Sequence, residues 1–268
     1  MSKTILITGA GSGFGEGVAL GLAKKGHNVI ATVENWPQKT YLKNRVKAEN
    51  VDLTIEKLDY LNEDDINSVV ARYGDKVDIV NLNAATGETG PVAEIPVNRI
   101  KRVFEVNVFQ TIEIAQRFAK IFVEKKKGKI VFTTSIAGFF TFEFLGPYVA
   151  SKHALEGLVQ TLQIELEGTG VTVATINPGP FSTGFNHRMY DTVDQWFDPN
   201  VHFTDPEAIK KVQKLFQSEE VEFDPEGMID FMIEKIPAEK TKFRNVFPDD
   251  VLEDVKNYQK SLWEKEVG

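Results

Sequence analysis

The alternation of short apolar runs with longer amphipathic ones constrains this chain most. Six runs read as strands: TILIT (4–8), NVIAT (28–32), LTIEKL (53–58), VDIVNLN (77–83), KIVFTTS (129–135) and VTVATIN (171–177). Several are apolar almost throughout, the pattern of strands buried on both faces. Helical periodicity falls between them, over about 14–25, 38–49, 62–72, 97–124 and 148–167. Each connection is long enough for a crossover helix. This order predicts an α/β fold: one doubly wound parallel sheet of about seven strands with helices on both faces. No repeat or Ser/Pro-rich linker interrupts 1–268, so the chain reads as one domain. Residues 180–240 break the rhythm and are rich in Phe, Met and Trp. Within them TDPEA and FDPEG predict two helix starts, with Asp before a Pro in the first turn. An irregular apolar stretch beside the C-terminal edge of a parallel sheet is a usual place for substrate loops. A substrate-loop insertion is therefore expected at about 180–240.

Composition narrows the function classes. A chain of 268 residues with 42% hydrophobic residues can bury a full core. The net charge of −8 argues against a nucleic-acid surface, which needs clustered cations. The absence of cysteine excludes disulfides, thiolate nucleophiles and Cys-ligated metals. His27, His153, His187 and His202 show no paired metal spacing, so no metal is expected. The N-terminus lacks the apolar core of a signal peptide. No apolar stretch approaches the roughly 20 residues of a membrane helix. No membrane insertion is expected, and the chain reads as cytoplasmic.

Two stretches carry chemistry. TGAGSGFG (8–15) leaves the first strand and opens the first helix. Gly9, Gly13 and Gly15 permit a tight turn and close approach of backbone to a ligand, and Gly11 and Gly17 add slack. The helix N-terminus then offers N–H groups and partial positive charge to a pyrophosphate. A plain flexible turn is the other reading the loop alone allows. In GPYVASKHALEG (146–157), Tyr148 and Lys152 stand four apart and share one helix face. An isolated pair of this kind is usually a packed ring beside a lysine that reaches water.

Together the motifs resemble those of the short-chain dehydrogenase/reductase family of Rossmann-fold, NAD(P)-dependent oxidoreductases. The resemblance spans nearly everything up to about residue 185. TGAGSGFG is similar to the family's T-G-x-x-x-G-x-G loop, and LNAA (82–85) stands where N-N-A-G is frequent. Asn107 falls in the long helix where a catalytic Asn is expected. TTSIAG puts Ser135 thirteen residues before Tyr148, the family spacing. YVASK is the Y-x-x-x-K motif, and NPGPFST (177–183) matches the P-G turn after the sixth strand. ASKHALEGL and the P-G-P turn look most like the branch containing hydroxysteroid and retinol dehydrogenases. Leu82 and Ala85 depart from N-N-A-G, and the C-terminal quarter matches no family motif.

The resemblance implies Asn107, Ser135, Tyr148 and Lys152 as the catalytic set. Hydride transfer to a carbonyl leaves charge on oxygen, so a proton donor must stand beside it. A free tyrosine has a pKa of about 10, and bringing it to about 7 takes about 4 kcal/mol. One cation about 4 Å away supplies that at an effective dielectric near 20. Lys152 is expected to be that cation and, by resemblance, to hold the nicotinamide ribose. Ser135 ends a strand and either bonds the substrate oxygen or caps a turn. Asn107 reads as a buried, backbone-satisfied Asn or as the centre of a helix distortion holding a relay water, and the two are compatible.

The resemblance also implies a dinucleotide site built from Gly9, Gly11, Ser12, Gly13, Phe14 and Gly15, with Glu34 at the end of the second strand. Asp59 and Tyr60 would face the adenine, Asn83 and Ala84 the adenosine ribose, and Pro178, Gly179, Phe181 and Thr183 complete the site with Tyr148 and Lys152. Asp59 reads equally as a turn residue capping the next helix. NAD is favoured over NADP, because Glu34 would repel a 2′-phosphate and Ser12 stands where NADP-users often carry a base. Val33 occupies the position where the family's acid commonly falls. Lys39 and Lys43 are near enough in sequence to compensate, and a Glu34 turned to solvent would decide nothing.

Phe139, Phe140, Phe142 and Phe144 alternate before Tyr148, and Phe181, Phe185, Met189, Tyr190 and Trp196 follow the P-G turn. They predict an apolar pocket, with Phe140, Phe144 and Phe185 singled out. The substrate expected is a small-molecule secondary alcohol or ketone with an apolar body. Alternatives are a non-catalytic dinucleotide-binding redox sensor or scaffold, expected to lose the Tyr or Lys, and an oxidoreductase of polar substrates. The resemblance further implies a homodimer or homotetramer paired through the helices near 97–124 and 148–167.

Overall fold

In a computed structural model describing residues 1–216, 218 and 221–268, seven strands form one parallel sheet. They are β1 (Thr4–Ile7), β2 (Asn28–Val33), β3 (Thr54–Lys57), β4 (Ile79–Leu82), β5 (Gly128–Thr133), β6 (Val171–Pro178) and β7 (Arg244–Phe247). Their spatial order is β3-β2-β1-β4-β5-β6-β7. The helices are α1 (Gly13–Lys24), α2 (Trp36–Ala48), α3 (Glu63–Tyr73), α4 (Val97–Phe104), α5 (Thr111–Glu124), α6 (Gly146–Glu165), α7 (Phe185–Tyr190), α8 (Pro206–Phe216), α9 (Pro225–Lys235) and α10 (Val251–Leu262). The six expected strands and five expected helices fall within two residues of these bounds.

Strand side chains alternate between two apolar layers. Leu6, Ile30, Val80, Ile130 and Phe132 pack on Phe118 and Phe122 of α5 and Leu155 and Val159 of α6. Ile5, Ile7, Val29, Ala31, Val33 and Val131 face the other way, onto Val18 and Leu22 of α1 and Met228 and Met232 of α9. Covering both faces leaves no polar side for the strands, hence their continuous apolar runs. Phe118 and Phe122 are fully buried, each contributing about 2–3 kcal/mol through apolar surface removed from water.

The helix expected over 97–124 is interrupted by a π-helical stretch, Glu105–Gln110, which contains Asn107, where a helix distortion is one of the readings of the sequence. Two other local features differ from the sequence expectation. Residues 180–240 are not one insertion. Both Asp-Pro helices form, but α9 belongs to the core: a Cβ on Gly17 or Gly21 of α1 would run into Ile229 or Ile233. Last, β7 and α10 follow the last helix start read from the sequence, in the quarter that matches no family motif. β7 extends the sheet by pairing with β6, Ile176 opposite Asn245.

The chain crosses from β1 to β2 on one side and from β4 to β5 on the other, so β1 and β4 form the topological switch point. Ligands bind beyond the C-terminal ends of strands at such a point. No helix among the described residues is long and apolar enough to cross a membrane. Among the same residues there is no group of three or more His, Cys, Asp or Glu side chains suited to a metal ion.

Candidate active site

A cleft of about 930 Å³ opens at this switch point, near the upper end of the roughly 300–1,000 Å³ seen for cofactor sites. One end is the glycine loop. Gly9 and Gly13 have φ of +69° and +56°, a region that favours glycine. A Cβ on Gly9 would sit 2.7 Å from Ala84 Cα, and one on Gly15 would overlap the Gly9 carbonyl. Gly15 therefore lies behind the wall and lets the helix start close to the strand, while Gly9, Gly11, Ser12, Gly13 and Phe14 line the cleft. Ser12 precedes α1 without a side-chain cap, so the first-turn N–H groups have no side-chain acceptor there. A close-approach loop feeding an uncapped helix N-terminus fits a pyrophosphate.

Thr8 joins this loop to β4. Its Oγ1 accepts from the Asn83 and Ala84 backbone N–H groups at 2.9 and 3.1 Å and from the Tyr60 hydroxyl at 2.7 Å. Asn83 donates its side-chain amide to the Thr8 carbonyl at 3.1 Å, so it braces the loop as well as lining the cleft. Tyr60 also lines the cleft, and burial raises its phenol pKa. Asp59 is at once a cleft residue and a turn residue: its Oδ1 accepts from the Leu61 N–H at 2.9 Å. The cap of α3 is Asn62 instead.

Glu34 is exposed on the cleft wall, and its carboxylate has no partner among the described residues. Its own N–H donates to Gln38 Oε1 at 3.0 Å, which sets the chain's direction out of β2. Lys39 is paired with Glu56 at 3.3 Å, and neither Lys39 nor Lys43 is on the cleft wall. Pro178, Gly179, Phe181 and Thr183 form the facing edge.

Ser135, Tyr148 and Lys152 stand together deeper in the cleft. Ser135 follows β5, and its Oγ accepts from the Ala137 N–H at 3.0 Å, so it caps a turn and faces the cleft at once. Lys152 Nζ donates to the Thr133 carbonyl at 3.2 Å and lies 5.6 Å from the centre of the Tyr148 ring. Lys152 alone does not bring the phenol toward neutrality. Burial pushes Tyr148 up to about 12, and only a hydrogen bond with Ser135 opposes it. Burial likewise brings Lys152 down to about 8, against the raising influence of the Glu156 carboxylate. Lys152 makes no hydrogen bond to the Tyr148 hydroxyl, and desolvation of the phenol wins.

Asn107 is buried behind the cleft rather than in its wall. Its Oδ1 accepts from the Thr86 N–H at 2.9 Å, and its Nδ2 donates to the Thr86 carbonyl at 2.8 Å and to Ser151 Oγ at 3.0 Å. It is a satisfied buried Asn inside a π distortion. Glu156 was not anticipated, although its spacing of four from Lys152 was visible. It is 3% exposed and accepts from Thr134 Oγ1 and Asn177 Nδ2, both at 2.6 Å, and from Arg244 Nε at 3.2 Å.

The far end of the cleft is apolar, lined by Phe142, Leu145, Phe185, Met189, Tyr190 and Phe216. Phe185 is there as expected, but Phe140 and Phe144 are not on the wall. Phe140 packs on Tyr258 of α10, ring centres 4.6 Å apart. Phe144 has φ of +62°, and its carbonyl accepts from the Gly90 N–H at 2.8 Å, so the segment is a turn and not the strand-like alternation assumed.

Residues 3–194 match the short chain dehydrogenase family. The chain is 33% identical over 200 residues to a diacetyl reductase [(S)-acetoin forming] of Staphylococcus epidermidis, covering 73% of this chain and 76% of that one. It is 28% identical over 218 residues to human retinol dehydrogenase 8, covering 80% and 69%. A short-chain dehydrogenase/reductase of Burkholderia phymatum, solved in complex with NAD, superimposes with a TM-score of 0.81 at 23% identity over 100% of this chain and 97% of that one. With the glycine loop, the Tyr148–Lys152 pair and Ser135 on one cleft, these matches establish that the chain belongs to the short-chain dehydrogenase/reductase family of oxidoreductases.

Proposed function

We propose that the protein is a nicotinamide-dependent ketone reductase and alcohol dehydrogenase acting on a secondary alcohol or ketone with an apolar body. The observation that carries this reading is the cleft itself: Tyr148, Lys152 and Ser135 share its wall, with the glycine loop at one end and Phe142, Leu145, Phe185 and Met189 at the other. The diacetyl reductase and retinol dehydrogenase among the relatives support carbonyl and alcohol chemistry.

The dinucleotide, when bound, supplies or accepts the hydride. Gly9, Gly11, Ser12 and Gly13 would hold its pyrophosphate and Lys152 its ribose, with Asp59 and Tyr60 at the adenine end. Ser135 and Tyr148 take the substrate oxygen between them. Tyr148, held up to about 12, is protonated at neutral pH and donates its proton to the oxygen of the ketone being reduced. Lys152 sets the local field. Glu34 favours NAD, since its unpaired carboxylate would stand beside a 2′-phosphate. The family likeness supports a homodimer or homotetramer.

Turnover is read by nicotinamide absorbance on a panel of apolar ketones and sugars. Tyr148→Phe should still bind dinucleotide, measured by fluorescence titration, and lose nearly all turnover. Wild-type rates in this variant, or sugars reduced as efficiently as apolar ketones, would overturn the reading.

A further inference from the structure

Gln38 lies in the first turn of α2, on the wall of the cleft, and touches both Gly11 and Glu34. Its backbone is fixed, because its N–H donates to Oδ1 of Asn35, the helix cap, at 3.0 Å. Its side chain is fixed as well. Oε1 accepts from the Glu34 N–H at 3.0 Å. A Cβ on Gly11 would stand 2.5 Å from that oxygen and 2.7 Å from Cδ, so the amide packs directly on the glycine loop. The Glu34 N–H needs an acceptor, which sets the orientation of the amide and leaves Nε2 as its outward group. Nε2 donates to no acceptor among the described residues. The residue is half-buried, and this nitrogen is not among the sealed polar atoms, so a ligand in the cleft can reach it. Lys39, the next residue, is turned away to Glu56. This stretch of wall therefore offers one carboxylate acceptor, from Glu34, and one neutral donor, from Gln38.

We propose that Gln38 is a second specificity-determining residue for the dinucleotide, its Nε2 donating to the 2′-oxygen of the adenosine ribose while Glu34 accepts from the same hydroxyl. This rests on the reading of the cleft as a nicotinamide dinucleotide site. A hydroxyl is one donor and an acceptor at once, so a carboxylate and an amide NH₂ satisfy both of its roles. A 2′-phosphate at neutral pH presents acceptor oxygens and negative charge. It keeps the bond from Gln38 but meets the Glu34 carboxylate. Gln38 thus serves either cofactor, and Glu34 serves NAD alone. A ribose without the 2′-oxygen gives neither side chain a partner. Gly11 belongs to the same arrangement, since a side chain there would push the amide off the loop.

The test is calorimetric titration of the full chain with NAD, NADP and 2′-deoxy-NAD, which needs no turnover and no knowledge of the substrate. Wild type should bind NAD about tenfold more tightly than 2′-deoxy-NAD. Gln38→Met keeps the length and removes the donor. It should weaken NAD and NADP by about threefold to tenfold and leave 2′-deoxy-NAD within about twofold of wild type. Gln38→Glu keeps an oxygen for the Glu34 N–H but sets a second carboxylate at the 2′-position, so NADP should weaken by about tenfold or more. Equal losses of NAD and 2′-deoxy-NAD in Gln38→Met would reduce the residue to a brace and overturn the assignment. So would NADP affinity unchanged or improved in Gln38→Glu. If wild type binds NAD and Gln38→Met binds it as well, this inference alone fails; if wild type binds no dinucleotide, the cofactor reading fails and takes the inference with it.

Discussion

Glu156 accepts a 2.6 Å hydrogen bond from Asn177, and that contact locks the C-terminal end of β6 to the helix carrying Tyr148 and Lys152. Thr134, the residue before Ser135, donates to the same carboxylate oxygen at 2.6 Å. One buried charge thus registers the strand ends that present Ser135 and Pro178, and it props up the lysine one turn earlier on α6. Gly138 leaves room for it: a Cβ there would sit 2.8 Å from Glu156 Cγ.

Glu156→Gln keeps the shape and removes the charge. Without the carboxylate, Lys152 should lose its proton at lower pH than its present value of about 8. The alkaline fall in kcat for ketone reduction should therefore move to lower pH, so the variant loses more at pH 8 than at pH 6. Losing the half-exposed pair with Arg244 and weakening the two buried bonds, which the amide oxygen can still accept, should also cost about 1–3 kcal/mol of stability. An unmoved pH profile would show that Glu156 acts on packing only.

Glu34→Arg should shift preference toward NADP. A phosphate about 5 Å from the carboxylate is disfavoured by about 1 kcal/mol in water and more in a drier cleft, or about tenfold in affinity. Lys39 cannot readily offset this, being paired with Glu56. The comparison is kcat/KM with each cofactor for wild type and variant. A wild-type preference for NADP, or no shift in the variant, would remove Glu34 as the discriminator.

Gly15→Ala tests the loop. The new Cβ would overlap the Gly9 carbonyl and come within 2.8 Å of Asn83 Nδ2, so backbone must move. Dinucleotide affinity should fall at least about tenfold, with destabilisation of about 1–3 kcal/mol from overpacking. Calorimetric titration and denaturant melts read the two effects, and wild-type affinity would contradict the close-approach role.

The buried strands and their helices were legible in the sequence because apolar runs on both faces leave a strong local signal. β7 was not. RNVF is four residues long, sits at the sheet edge and is defined by its pairing with β6, which is a distant partner. The misplacement of Phe140 follows from the same blind spot. Its ring is covered by Tyr258 of α10, in the quarter without motifs, so its true neighbour could not be read from its own segment. Tyr148 and Lys152 were recognised from spacing, but the balance of burial against charge that sets their protonation needed the geometry. Glu156 was legible as a position and illegible as a hub, because Thr134, Asn177 and Arg244 come from three separate strand ends.

The oligomer can be settled in solution. Phe109, Leu158 and Ile164 are 57%, 46% and 61% exposed on the segments expected to pair. Light scattering at micromolar concentration should give the mass of a dimer or tetramer, and a charge placed at Leu158 should lower it. A monomeric mass for the wild type would refute the expectation.

Lys129 sets a stability prediction. Its Nζ donates to the carbonyls of Lys235, Ile236 and Ala238 at 2.9, 3.0 and 2.9 Å, tying β5 to the end of α9. It is 6% exposed, and burial, assisted by the Lys3 charge, lowers it to about 8. An unfolded lysine keeps its proton to about 10.4. Between pH of about 8 and 10.4 the unfolded chain therefore binds the extra proton, and stability rises with pH. Below about 8 both states are charged, and the cost of the buried ammonium is constant. Lys152, also lowered to about 8, works in the same sense. The gain is at most about 3 kcal/mol per lysine and smaller where water reaches the group. Tyr148, held up to about 12, opposes it above a pH of about 10, where unfolded tyrosines ionise and the folded one does not. Urea melts of wild type from pH 7 to 11 should show stability climbing past pH 8 and turning over at the alkaline end. Lys129→Met should be less stable at every pH, through three stranded carbonyls, and should show a shallower climb. Parallel pH curves for the two proteins would mean that Lys129 keeps its proton in the fold as it does in water.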